Sequence, residues 1–154
     1  MSHARQQIRE AVAAVLSSNP IAWGQVTETR IPSPRQIWPY LMVFAESEQS
    51  EPTSVINPAS YGRVLALTVA AMLRLPGTGD TYTIEDKLDD VAAEIETKLT
   101  QTTLRARVPL VQSLALFGTA IEVIEEEEGK YHAELILTWR IGYSTLEGLP
   151  GSLT

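Results

Sequence analysis

The sequence predicts an α+β fold: an antiparallel or mixed sheet of four to five strands with two helices packed on one face, in the order α-β-β-β-α-β-β. Three observations carry this. The C-terminal third holds two long alternating segments facing each other across a short acidic turn, Glu125-Glu126-Glu127-Glu128-Gly129-Lys130. Two other segments repeat apolar residues at spacings of three and four. Repeated βαβ units, which a parallel doubly wound sheet needs, do not occur.

The first element is a helix over residues 4–17. Ile8, Ala11, Val12, Val15 and Leu16 form one apolar stripe, Ser2 is placed to cap it, and Ser18-Asn19-Pro20 ends it. Residues 23–30 read as a short strand anchored by Trp23 and Val26, followed by the breaker Ile31-Pro32-Ser33-Pro34. The unbroken apolar run over 38–45 predicts a strand buried on both faces, with Pro39 at its start. Residues 46–58 carry three glutamates, Pro52 and Pro58, and read as a loop of roughly thirteen residues. Residues 61–73 alternate Leu65, Leu67, Val69, Ala71 and Leu73 with Val64, Ala66, Thr68, Ala70 and Met72, which predicts a central strand.

Pro76-Gly77-Thr78-Gly79-Asp80 is a turn. A second helix starts near Thr83, where Thr83 and Asp86 have capping-box spacing. Its stripe is Ile84, Leu88, Val91, Ile95 and Leu99, and Glu85, Asp86, Asp89 and Asp90 suit the positive end of the helix dipole. Residues 100–109 read as a polar connection. The closing hairpin spans 114–126 and 131–145, with Ala133, Leu135, Leu137, Trp139, Ile141 and Tyr143 on one face. Residues 1–145 are expected to form a single domain, and 146–154 a flexible tail.

Composition excludes several chemistries. With no cysteine, disulfides, thiolate catalysis and cysteine-based zinc sites are impossible. A net charge of −7 argues against tight sequence-independent DNA binding, which depends on phosphate neutralisation. The longest apolar run, over 64–73, falls well short of the ~20 residues a membrane-spanning helix needs. A soluble cytoplasmic protein without a secretory signal is expected. Gly77-Thr78-Gly79 lacks both the third glycine and the Gly-Lys-Ser/Thr of phosphate loops. The glutamates at 125–128 alternate in direction along a strand, so they read as a solvated tip, and the aspartates at 86, 89 and 90 as a capped helix start. Neither His3 nor His132 sits in a catalytic pattern. No catalytic, cofactor-binding or metal site is therefore assigned. For partner contact the residues singled out are Glu46, Glu48 and Glu51 in the polar loop, and Arg105, Arg107 and Arg140; mobile loop and ordinary surface charge are the plain alternatives.

In order along the chain, Ala4-Arg5-Gln6-Gln7-Ile8-Arg9-Glu10-Ala11-Val12, Pro39-Tyr40-Leu41-Met42-Val43-Phe44 with Glu46-Ser47-Glu48, Leu65-Ala66-Leu67-Thr68-Val69 before a helix, Gly118-Thr119-Ala120-Ile121-Glu122 and the strand at 133–143 resemble the tail terminator (minor tail protein U-like) family of long-tailed bacteriophages and prophages. The resemblance covers nearly the whole chain. It implies a structural protein of the virion, assembled in the host cytoplasm, that acts without catalysis or cofactor. A hexameric ring on the end of the tail tube would stop addition of tube subunits, face the head-tail connector and let DNA pass through its lumen. Two rivals stand beside this: a neck stopper or tube ring protein of the same machine, and a small-molecule-binding α+β module.

Overall fold

The computed structural model describes residues 2–17, 25–29, 37–75, 84–127 and 130–151. The elements are α1 (Ala4–Ser17), β1 (Gln25–Thr27), β2 (Tyr40–Ser54), β3 (Ser60–Leu75), α2 (Ile84–Lys98), α3 (Gln101–Arg107), β4 (Val111–Glu127) and β5 (Lys130–Leu146). They form one five-stranded mixed sheet, ordered β1-β2-β3-β5-β4. β1 runs parallel to β2 and every other neighbour is antiparallel. The expected α+β class and element order hold, with α3 added between α2 and β4. The expected stop at 18–20, Trp23 and Arg30, the breaker at 31–34, the turn at 76–80, the Thr83 cap, Glu128 and Gly129 at the hairpin tip, and 152–154 lie outside the described residues.

Alternation decides the layers. Leu41 and Val43 of β2, Leu65, Leu67, Val69, Ala71 and Leu73 of β3, and the six expected inward residues of β5 share one face. On it pack Ile8, Val12 and Leu16 of α1, Leu88, Val91 and Ile95 of α2, and Leu104 of α3. All five residues of the expected α1 stripe are buried. Each large apolar side chain enclosed this way contributes about 1.5–3 kcal/mol. On the opposite face a smaller cluster of Tyr40, Met42, Ala70 and Met72 gathers Trp38, Phe44 and Ile136 around it. β2 is thus buried on both faces at its start, as its sequence predicts, over Tyr40, Leu41, Met42 and Val43.

Three local expectations are corrected. Residues 46–54 are not loop: β2 continues through them, paired with β3 from Ser47↔Ala66 to Ser54↔Ser60. Pro52 is tolerated because it sits beside a register shift in a strand whose other side carries no ladder there among the described residues. Only residues 55–59 form the turn. The supposed polar connection holds α3, nucleated by a reciprocal cap. Thr103 N donates to Thr100 Oγ1 at 3.2 Å, and Thr100 N donates to Thr103 Oγ1 at 3.0 Å. At the start of α1, His3 takes the place expected for Ser2: Arg5 N donates to His3 Nδ1 at 3.1 Å. Burial, then the Arg5 charge, hold the His3 imidazole below its ordinary pKa, which keeps that acceptor nitrogen available. The chain beyond β5 turns back to this helix, where Pro150 O accepts from Ala4 N at 2.9 Å and Gly151 O accepts from Gln7 Nε2 at 3.1 Å.

Candidate functional site

β4 lies at the end of the sheet and is open on both faces. Of its 17 residues only Val111 is buried, with Leu114 and Ile124 half-buried. Its register explains why. Leu116, Thr119, Ile121 and Val123 stand opposite Trp139, Leu137, Leu135 and Ala133, so they point to the helix side. The helices, however, share their core with β2, β3 and β5, and the main helix contact of β4 is with the short α3. Leu116, Ile121 and Val123 are left 36%, 54% and 42% exposed. A register shift between Leu116 and Gly118 sets Phe117 apart, and the Arg140 guanidinium lies 3.4 Å from its ring centroid. A long edge strand bearing exposed apolar side chains is a template for pairing with another chain.

The other side of the sheet is open too. β1 covers only Tyr40, Leu41 and Met42 of β2. Among the described residues no strand pairs with the outer side of residues 46–54.

The structure divides the six residues singled out in the sequence into two sets. Glu46, Glu48 and Glu51 lie on the outer half of β2; Arg105 and Arg107 lie on α3, which packs on β4, and Arg140 lies on β5 beside β4. Within one chain it does not bring the sets together. Glu46 and Glu51 are exposed, as are all three arginines. Glu46 Oε1 accepts from Thr68 Oγ1 at 3.4 Å. Glu48 turns inward, its side chain 7% exposed. It accepts from Arg63 Nη1 at 2.9 Å and from the Tyr143 hydroxyl, with Arg5 Nε 3.8 Å away. Arg63 also donates to Thr145 Oγ1 at 2.8 Å and Ser50 Oγ at 3.3 Å. Burial, reinforced by the hydrogen bond to Glu48, pushes the Tyr143 phenol far above its ordinary range. Glu48 therefore ties β2 to β3, β5 and α1.

Among the described residues, further charged groups form small local pairs. Among the described residues no group of three or more His, Asp or Glu is arranged to hold a metal ion. Glu126 sits 3.2 Å from His132 Nδ1 and 3.9 Å from Arg74 Nε, while Glu127 sits 3.1 Å from Lys130 Nζ. Two open clefts flank the outer half of β2. One, of about 380 Å³, lies between α1 and Glu46, where the β2 register shifts between Ala45 and Ser47, and includes His3, Arg5 and Arg9. The other, of about 370 Å³, runs over Gly62 and Gly142 between Glu51 and Gln112. No described helix is long and apolar enough to cross a membrane.

The openness of β4 is what sequence reasoning missed. Its apolar alternation reads like that of β5, and only the position at the sheet edge distinguishes them.

No protein-family model matches this chain. No curated protein matches it either. Among solved structures, the chain is similar to one from the "Virion of native gene transfer agent (GTA) particle", with a TM-score of 0.39 and 15% identity over 91% of this chain and 92% of that one.

Proposed function

We propose that this protein is a structural subunit that works by shape: a tail terminator of a long-tailed phage-like particle, closing into a ring on the head-proximal end of the tail tube. The observation that carries the reading is that, among the described residues, no strand pairs with the outer side of β4 or of the outer half of β2, and that β4 bears exposed apolar groups. A subunit with two different open sides makes heterologous contacts, and such contacts form a ring when the rotation closes. The resemblance supplies the hexamer, the tube subunit on one end face and the head-tail connector on the other. The ring would end polymerisation and offer the surface for head-tail joining. The net charge of −7 supports a conduit through which DNA passes without adhering.

Deleting the gene from its particle tests this. Tails of uncontrolled, excessive length are expected. Tails of normal length that fail to join heads or retain DNA would instead mark a neck stopper, and normal infectious particles would end the virion reading altogether.

A further inference from the structure

The two open sides of the sheet are matched to each other in direction, level and charge. Three antiparallel steps separate β2 from β4, so the two strands run in opposite directions. A second copy rotated about an axis near the strand direction therefore brings its β2 antiparallel to β4. The ladders also fix the level. Ser47 pairs with Ala66, Ala66 with Arg140, and Arg140 with Ala115. Gln49 pairs with Val64, Val64 with Gly142, and Gly142 with Ser113. Directly paired residues share a face, so Ser47, Gln49 and Glu51 lie on the same face as Arg140. With no slip along the strands, Ser47 of one copy stands level with Ala115 of the next.

Charge agrees with that placement. Arg140 is exposed one strand in from the β4 edge; its guanidinium rests on the Phe117 ring, and the short Ala115 lies between it and the edge. Glu46 and Glu51 are exposed along the opposite edge, either side of Ser47 and Gln49. A two-fold pairing of β4 with β4 would leave this acidic edge unused.

Resting on the reading of the chain as a ring subunit, we infer that residues 111–116 of β4 of one copy pair antiparallel with residues 46–51 of β2 in the next copy, head to tail, with Arg140 facing the acidic edge at Glu46. The occupant of the first part of the β4 edge is thus a second copy of this chain, and the sheet runs on from subunit to subunit there.

The absence of native cysteine makes the test clean. Chains carrying Ser47→Cys or Gln49→Cys are mixed under mild oxidation with differently tagged chains carrying Ala115→Cys or Ser113→Cys. Mixed disulfide dimers are expected for Ser47→Cys with Ala115→Cys and for Gln49→Cys with Ser113→Cys, and none when a variant is oxidised alone. Dimers of Ala115→Cys with itself would overturn the proposal in favour of a two-fold contact; so would the absence of mixed disulfide in every pair. In a second arm, Arg140→Glu weakens self-assembly in sedimentation by about tenfold or more, and Glu46→Arg in the same chain restores it in part. A folded Arg140→Glu protein that assembles like the parent rejects the charge match. These results are independent of tail length: overlong tails without the cross-link sink this contact alone, and the cross-link with normal tails sinks only the terminator role.

Discussion

Replacing Glu48 by alanine removes the one carboxylate that Arg63 and Tyr143 share. Tyr143 is 1% exposed, so its hydroxyl is left without its acceptor away from water. A buried polar group in that position costs about 1–3 kcal/mol. Removing one member of a fully buried ion pair costs roughly 3–5 kcal/mol. Arg63 is not in that limit: its side chain is 18% exposed and it keeps Thr145 and Ser50 as acceptors. Its share falls to about 1–2 kcal/mol. Arg5, 48% exposed at 3.8 Å, adds little. The expected loss is therefore about 2–5 kcal/mol, a drop of roughly 7–14 °C in melting temperature near its middle for a chain of this size. Urea unfolding and calorimetry both read it. Tyr143→Phe alone costs about 1 kcal/mol or less, since Glu48 keeps both arginines. In the Tyr143→Phe background, Glu48→Ala costs less than in the parent by about 1–3 kcal/mol, because no hydroxyl remains to be stranded. A Glu48→Ala protein within about 1 kcal/mol of the parent, or strictly additive substitutions, would refute the shared-carboxylate account.

Three other outcomes follow from the geometry. Because the folded Tyr143 phenol ionises well above the unfolded value near about 10, the unfolded state gives up that proton first, and stability falls as pH rises past that value. Urea midpoints measured from about pH 9 to about pH 11 decline less steeply in Tyr143→Phe. Thr100→Ala removes the α3 cap and costs about 1 kcal/mol, whereas Thr100→Ser stays near the parent in the same unfolding assay. Leu137→Ala in the fully enclosed layer costs about 2–5 kcal/mol, while Phe117→Ala, 61% exposed on β4, stays within about 0.5 kcal/mol yet reduces self-association by sedimentation.

Much of the architecture is legible in the residue pattern because burial wrote it there. The α1 stripe and the alternation of β5 are consequences of facing one core, and the structure returns the same residues inside. The outer half of β2 was illegible for the opposite reason. Glu48 looks like solvated loop, but its charge is neutralised by Arg63 and Arg5 from strand and helix, partners separated from it in sequence. Pro52 looks like a breaker until the strand's open side removes the need for its missing N–H. α3 buries only Leu104, too little for any periodicity; its signal was the Thr100–Thr103 pair. The candidate site was half visible. The acidic and basic residues stood out as charges, but that they flank opposite sides of one sheet is a property of strand order, which no single segment encodes.

The bonds from Ala4 to Pro150 and from Gln7 to Gly151 place the first helix and the last turn side by side. A short peptide bridge between these points, with new ends opened in the exposed stretch at Val55 and Ile56, gives a circularly permuted chain that begins with β3 and ends with β2. Such a rearranged polypeptide keeps every core residue while moving the severed point beside the acidic strand, so reporter groups can be mounted there without touching β4.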